Sequence, residues 1–277
     1  MELALFNSDI LLKIATYLPV DGLRQLSLTC RRLGIGCDDS LSLIEETARR
    51  VVQDIATEEE MAALPAYDRD NWLCKYNFLL SVRIPLAFDQ LVGPVDYVDG
   101  NKNRVSKGHV DWPSATAFSN NIMMAGKHYV SFETCFTNNR GIGLFVGVMR
   151  PGEAMQTANG SPLNQSFYEH FTQRQGSVQY NNSINCCMYE SFHGSCFSHD
   201  WGEGNADRKT WNGMEGFSGS CTIGMLLDLD VGTLSVYKNG RKLGVMKRRL
   251  TGQYCWAVAM KERGSQVTIK RGTVPAS

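Results

Sequence analysis

Along this chain the spacing of apolar residues changes near residue 85. Upstream they recur at the period of an amphipathic helix. Ile10, Leu11, Ile14 and Leu18 form one stripe, with Asn7 or Ser8 placed to cap it and Pro19 after it. A second stripe, Leu23, Leu26, Cys30 and Leu33, follows a capping Asp21 and is broken by Gly34 and Gly36. A third runs through Leu41, Ile44, Ala48, Val51, Val52 and Ile55, entered by Asp38, Asp39 and Ser40. Thr57-Glu58-Glu59-Glu60 has the spacing of a capping box and opens a short helix that Pro65 ends. Trp72, Tyr76, Leu79 and Leu80 mark a fifth helix.

From Pro94 onward the pattern switches to short alternating runs punctuated by Gly, Asn and Asp. Strands are predicted over 96–98, 115–119, 128–136, 143–149, 183–190, 194–198, 209–211, 220–230, 233–238, 254–260 and 266–270. The clearest stretch is 223–246, a three-strand meander with both turns legible. Met225, Leu227 and Leu229 alternate with Leu226, Asp228 and Asp230. A turn at Asp230–Thr233 follows, then Leu234 and Val236 alternate with Ser235 and Tyr237. Asn239-Gly240 suits a two-residue hairpin turn, in which both central residues take positive φ. Many short strands with frequent turns suit a sandwich. The polar stretch 152–182 reads as a long loop.

Composition adds exclusions. The 277 residues carry 28 Lys and Arg against 28 Asp and Glu, so no global field draws the chain to nucleic acid or a membrane. The basic clusters Lys247-Arg248-Arg249 and Lys270-Arg271 read as solvated surface. The N-terminus has no basic start and is broken by acids, and no apolar run reaches the length of a membrane span. Cytoplasm or nucleus is the expected compartment. The nine cysteines are then reduced thiols, mostly in the core. Cys186, Cys187, His193, Cys196 and His199 cluster, but only Cys196-x-x-His199 has ligand spacing, so neither a metal nor another cofactor is expected. Gly216-Phe-Ser218-Gly-Ser is not a nucleophile elbow, and Gly141-x-Gly143 lacks the third glycine of a dinucleotide loop. Asp228 and Asp230 read as turn residues. No catalytic constellation emerges.

The meander resembles the signature hairpin of SPRY domains: Leu226-Leu-Asp-Leu-Asp-x-Gly-Thr-Leu-Ser235, an aromatic at Tyr237, then Asn239-Gly240 and Leu243-Gly244. Gly126–Glu133, Ile142–Val148 and Leu250–Met260 are similar to further strands of that family, while Val267-Thr-Ile-Lys-Arg-Gly lacks its usual Asn-Phe ending. The resemblance implies an antiparallel, concanavalin-like β-sandwich that binds protein partners without catalysis, through loops at one rim. By position those loops are Asn101–Trp112, Thr137–Arg140, Ser198–Asn205 and Lys261–Gly264. Trp112, Arg140, Trp201 and Arg263 are the expected target-binding residues, because Trp and Arg dominate interface hot spots. Trp211 and Trp256 are expected to be buried, in the core or under a loop.

Residues 5–41 resemble an F-box in the order acidic residue, Ile10-Leu11, Ile14, Tyr17-Leu18, Asp21-x-Leu23, Leu26 and Cys30-Arg-Arg32. They depart from it at Leu5-Phe6, Leu33 and Leu41-Ser42, where the family usually has Leu-Pro, Trp and Leu-Trp. So small a unit holds more Leu and Ile than it can bury, which marks a partner surface. The resemblance implies that Leu5, Phe6, Ile10, Leu11, Ile14, Leu18, Leu23, Leu26 and Leu28 face the Skp-type adaptor of a cullin–RING ubiquitin ligase. The expected fold class is therefore α+β multidomain: an F-box-like helical domain over 1–50, a helical linker over 51–93 and a SPRY β-sandwich over 94–277. The expected function is the substrate-recognition subunit of a Skp–cullin–F-box-type ligase, with an unknown protein target. The rivals are a stand-alone interaction scaffold and, more distantly, a glycan binder.

Overall fold

The computed structural model describes residues 8–29, 31–34, 41–62, 64–65, 71–108, 115–136, 143–150, 186–200 and 205–275. The chain divides into two compact units, Met1–Ile84 and Pro85–Ser277.

The first unit is helical: α1 (Ser8–Ala15), α2 (Val20–Ser27), α3 (Arg31–Gly34), α4 (Leu43–Ile55), α5 (Glu58–Ala62) and α6 (Trp72–Arg83). Its core is the inner side of the stripes: Leu11, Ala15, Leu23, Leu33, Ile44, Ala48, Val52, Tyr76 and Leu79. Local chemistry sets the boundaries. Ser42 Oγ accepts from the Glu45 amide at 3.2 Å, so α4 starts at Leu43, two residues after the predicted start. The α2 helix begins at Val20 with Pro19 in the cap position, so Asp21 lies inside it and is not its cap. Thr57 Oγ1 accepts from the Glu60 amide at 3.2 Å while Glu60 Oε2 accepts from the Thr57 amide at 2.9 Å, the reciprocal capping box. Glu60 also takes a two-pronged ion pair from Arg83, whose Nη2 donates to the Ile55 carbonyl at 2.6 Å. One guanidinium thereby ties together the ends of α4 and α6 and the start of α5. Glu45 Oε2 accepts from the Leu73 amide at 3.1 Å, a carboxylate at the positive end of α6. The stretch 51–84, expected as linker, is part of this packed unit.

The second unit has fourteen strands among the described residues. They are β1 (Phe88–Val92), β2 (Val95–Val98), β3 (Asn101–Lys107), β4 (Ala115–Ser119), β5 (Lys127–Cys135), β6 (Leu144–Met149), β7 (Cys186–Glu190), β8 (Cys196–Asp200), β9 (Asn205–Lys209), β10 (Cys221–Asp228), β11 (Thr233–Lys238), β12 (Arg241–Arg248), β13 (Cys255–Met260) and β14 (Gln266–Arg271). Two antiparallel sheets result, in the orders β1-β4-β13-β6-β7-β8-β9 and β12-β11-β10-β5-β14-β3-β2. Alternate residues of each face inward and form one core. Trp256 of the first sheet meets Phe132 of the second edge-to-face, ring centres 6.1 Å apart. The fold is thus a helical N-terminal region followed by a two-layer antiparallel β-sandwich.

The meander forms as read. Asn239 and Gly240 take φ of 50° and 81°, the two positive values the hairpin needs. Asp228 Oδ1 accepts from the Asp230 and Val231 amides, both at 3.1 Å, and Asp230 Oδ1 accepts from the Gly126 amide at 2.9 Å. Both carboxylates therefore build turns, and β10 stops at Asp228. Two strands were not foreseen. In β1, inside the expected linker, only Phe88 is buried; in β3, expected as a loop, Val105 and Lys107 alone are buried. The expected strand at 209–211 lies earlier, over Asn205–Lys209.

Candidate partner-binding surfaces

Strand register sorts the loops of the sandwich into two ends. Met260, the last residue of β13, pairs with Ala115 and with Leu144, the first residues of β4 and β6. The strand ends Lys107 and Ala115, Cys135 and Leu144, and Met260 and Gln266 therefore lie at one end. So do the β7–β8 turn 191–195, the β9–β10 segment 210–220 and the Asn239-Gly240 turn, because Phe145 pairs with Glu190, Cys221 with Thr134 and Ile223 with Lys238. The strand ends on either side of residues 201–204 do not. Asp200 and Asn205, which flank them, lie beyond Cys186, and Cys186 pairs with Met149, beside Cys255 at the start of β13. Arg263 therefore lies at the end opposite the strand ends Asp200 and Asn205. Trp201, Trp112 and Arg140 themselves lie outside the described residues, but the connections carrying Trp112 and Arg140 join strand ends on the Arg263 side.

That end is knitted into a frame. Lys107 is buried at the end of β3, and its Nζ donates to the Lys261 carbonyl at 2.5 Å. The Lys107 amide donates to Ser265 O, and the Gly264 amide donates back to Lys107 O. Lys261 N donates to Gly143 O at 2.8 Å; a side chain at Gly143 would meet Lys261 Cβ at 2.6 Å. Next, Ser191 Oγ accepts from the Leu144 amide, and Ser191 O accepts from Phe217 N at 2.6 Å. Trp211 Nε1 donates to Gly194 O at 2.7 Å, so Trp211 pins this end while only half-buried; Trp256 is fully in the core. Lys238 Nζ reaches Glu215 at 2.6 Å and Gly216 O at 2.8 Å, and Arg241 holds the same carboxylate. These two cations keep the Glu215 carboxyl below its ordinary range, Lys238 contributing most. Arg263, Phe192, Met214 and Arg241 project from the frame into solvent. Sequence reasoning missed Phe192, Met214 and the buried Lys107; the available signal was His193-Gly194, a turn between two strand runs.

On the outer face of the second sheet, a groove of about 420 Å³ is lined by Asn101, Asn103, Arg104, Glu133, Gln266 and Lys270. Lys270 pairs with Glu133 at 2.7 Å and Arg104 donates to Gln266 at 2.6 Å, so its charges are internally matched. Among the described residues no three of His, Cys, Asp and Glu group to hold a metal ion, and no helix is long and apolar enough to cross a membrane. Cys186 and Cys187 sit on opposite faces of β7, one among the outer residues and one in the core, so the cysteine cluster of the sequence is split.

On the helical unit, the structure separates the residues expected to meet an adaptor. Leu11 and Leu23 are buried in the unit's own core, and Leu18 and Leu26 are half-buried against it. Ile10 and Ile14 are each 50% exposed, Tyr17 is 80% exposed and Leu28 77%. Ile10 and Ile14 are one helical turn apart on α1, with Tyr17 just beyond its end, so they form an outward apolar stripe. Leu5 and Phe6 lie outside the described residues.

No protein-family model matches the chain, and no curated protein does. Solved structures similar to it include the SPRY domain of human HERC1, at 15% identity and TM-score 0.44, over 64% of this chain and 94% of that one. The TRIM65 PSpry domain is similar at 17% identity and TM-score 0.43, over 68% and 93%. A human SPRY domain is similar at 16% identity and TM-score 0.41, over 68% and 99%.

Proposed function

We propose that this chain is a non-catalytic recognition subunit working in the cytoplasm or nucleus. In this reading the helical unit is an F-box-like module that docks on the Skp-type adaptor of a cullin–RING ubiquitin ligase. The sandwich is a SPRY-type module that binds a protein target through the Arg263 end. The observation that carries the reading is the outward stripe of Ile10, Ile14 and Tyr17, with Leu28, on a unit that already has its own buried core. Large apolar side chains left in water on so small a unit indicate a surface completed by a partner. The F-box-like order of residues 5–41 supplies the adaptor as that partner. The hairpin wording at 226–244 and the framed loops at the Arg263 end support the target-binding half. Catalysis is then supplied in trans, by holding target lysines near a charged ubiquitin carrier.

The test is co-expression with a Skp-type adaptor followed by size-exclusion chromatography. A stable complex is expected with wild type and not with Ile10→Asp/Ile14→Asp, which changes only exposed positions. Absence of a wild-type complex would refute the adaptor role. A second reading, an interaction scaffold without a ubiquitin role, is favoured by the burial of Leu11 and Leu23, which removes two expected contacts.

A further inference from the structure

Two thiols that take no part in either surface lie close together inside the sandwich. Cys187 of β7 is fully buried, Cys196 of β8 is 2% exposed, and their Sγ atoms are 3.7 Å apart. Cys187 pairs with Ser198 and Cys196 with Tyr189, so the thiols are diagonal neighbours on the inner face. Lys247 reaches across from β12 of the other sheet, its Nζ donating to Ser198 Oγ at 3.1 Å. An ammonium is thereby held at the residue opposite Cys187. Lys209, directly opposite Cys196 in β9, adds a second cation.

A separation of 3.7 Å also suits two thiolates sharing one tetrahedral ion at about 2.3 Å each. Charge and ligand number argue against that use: two lysines surround the pair, no third ligand joins it among the described residues, and Cys186 points to the other face. Lysines instead favour a thiolate. A hydrogen bond from Cys187, reinforced by Lys247 and Lys209, holds the Cys196 thiol below its ordinary range, against its burial. The same bond, together with burial, pushes Cys187 up. The pair is thus divided into a nucleophile and a proton-bearing partner.

We propose that Cys187 and Cys196 form a peroxide-sensitive dithiol that closes to a disulfide across β7 and β8. The Cys196 thiolate attacks one oxygen of hydrogen peroxide, the O–O bond breaks, and hydroxide leaves to take up a proton as water. Cys187 then attacks the sulfur of the resulting sulfenic acid. The S–S bond forms, the S–O bond breaks, and the Cys187 proton departs with the oxygen as a second water. Two thiols are oxidised by two electrons and one peroxide is reduced. Closure brings the sulfurs from 3.7 Å to about 2.05 Å, through side-chain rotation and a small strand movement. Strands β7, β8 and β9 form the margin of their sheet, where local opening costs least and a small oxidant enters. The bond would lock the hairpin that carries Phe192.

The test treats the full chain with hydrogen peroxide, alkylates it with N-ethylmaleimide under denaturing conditions and digests it with chymotrypsin. Cleavage after Tyr189 and Phe192 puts the two cysteines in separate peptides that stay joined only through a disulfide. Expected are a joined pair that separates on reduction, two fewer alkylated thiols, and loss of the link in Cys187→Ala and Cys196→Ala. Lys247→Met should slow closure a few-fold, because the lost thiolate outweighs the gain in nucleophilicity that a raised thiol brings. Full alkylation of Cys187 and Cys196 at doses that oxidise the exposed Cys135 would overturn the proposal. So would a link that survives in Cys187→Ala, which would run through Cys186. The wild-type map decides even if a variant fails to fold.

Discussion

Gly147 lies mid-strand in β6, and a side-chain carbon there would come within 2.2 Å of the Cys187 carbonyl and 2.8 Å of Met188 Cα. Both obstacles are backbone of the paired strand β7, so rotation of a side chain gives no relief. Gly147→Ala should therefore destabilise the sandwich by about 1–3 kcal/mol, the cost of forcing a methyl group into a packed core. Urea denaturation followed by tryptophan fluorescence checks this, and an unchanged midpoint would mean that β6 and β7 are packed less closely. The requirement for glycine at this site was not legible in Leu-Phe-Val-Gly-Val-Met, where the residue reads only as a gap in an apolar run. By contrast, Asn239-Gly240 announces its own geometry, because the hairpin demands positive φ from both residues and few other pairs tolerate it.

At the level of elements, burial on alternate positions explains which strands could be read. Strands β5, β6, β10, β11 and β13 each bring several apolar side chains to the core, and their alternation or apolar run stands out. Strand β3 has one apolar residue, Val105, and the apolar residues of β1, Phe88, Leu91 and Val92, do not alternate with polar ones, so neither left a period-two trace. Among helices, α4, α5 and α6 are tied by carboxylates rather than by apolar contact alone. Glu46 is drawn from 4.5 to about 2, chiefly by its hydrogen bond from Arg49, with Arg50 adding to it. Glu60 is drawn to about 2, chiefly by Arg83 and then by the Thr57 amide. A folded-state value below the unfolded one means the stabilisation is present in full above about pH 4.5 and is lost as the pH falls toward 2. Helical content and the melting temperature of the helical unit should fall across that interval. Glu46→Gln with Glu60→Gln should flatten the dependence; circular dichroism melts at stepped pH read both, and an equally steep fall in the double variant would place the acid sensitivity elsewhere.

For the whole molecule, the positions of the loops follow from strand order, and strand order follows from pairings distant in sequence. Strand β13 inserts between β4 and β6, and β14 between β5 and β3. No local pattern encodes those insertions, which is why the sequence could nominate rim loops but not sort the strand ends that flank them between the two ends. The exposed stripe of α1 is similarly a whole-unit property. The periodicity marks Ile10, Leu11 and Ile14 as one face, and only the packing of Leu11 against α4 residues separates inner from outer. The proposed role makes the two units independent in function: adaptor contact belongs to residues 8–28 and target contact to the second unit. Hydrogen exchange of the full chain, with and without an excess of a Skp-type adaptor, measures this most directly. The account predicts slower exchange over residues 8–28, centred on α1, with the strands of 85–275 unchanged. No change over 8–28 in a sample where the adaptor is in excess would contradict it, as would protection confined to the sandwich.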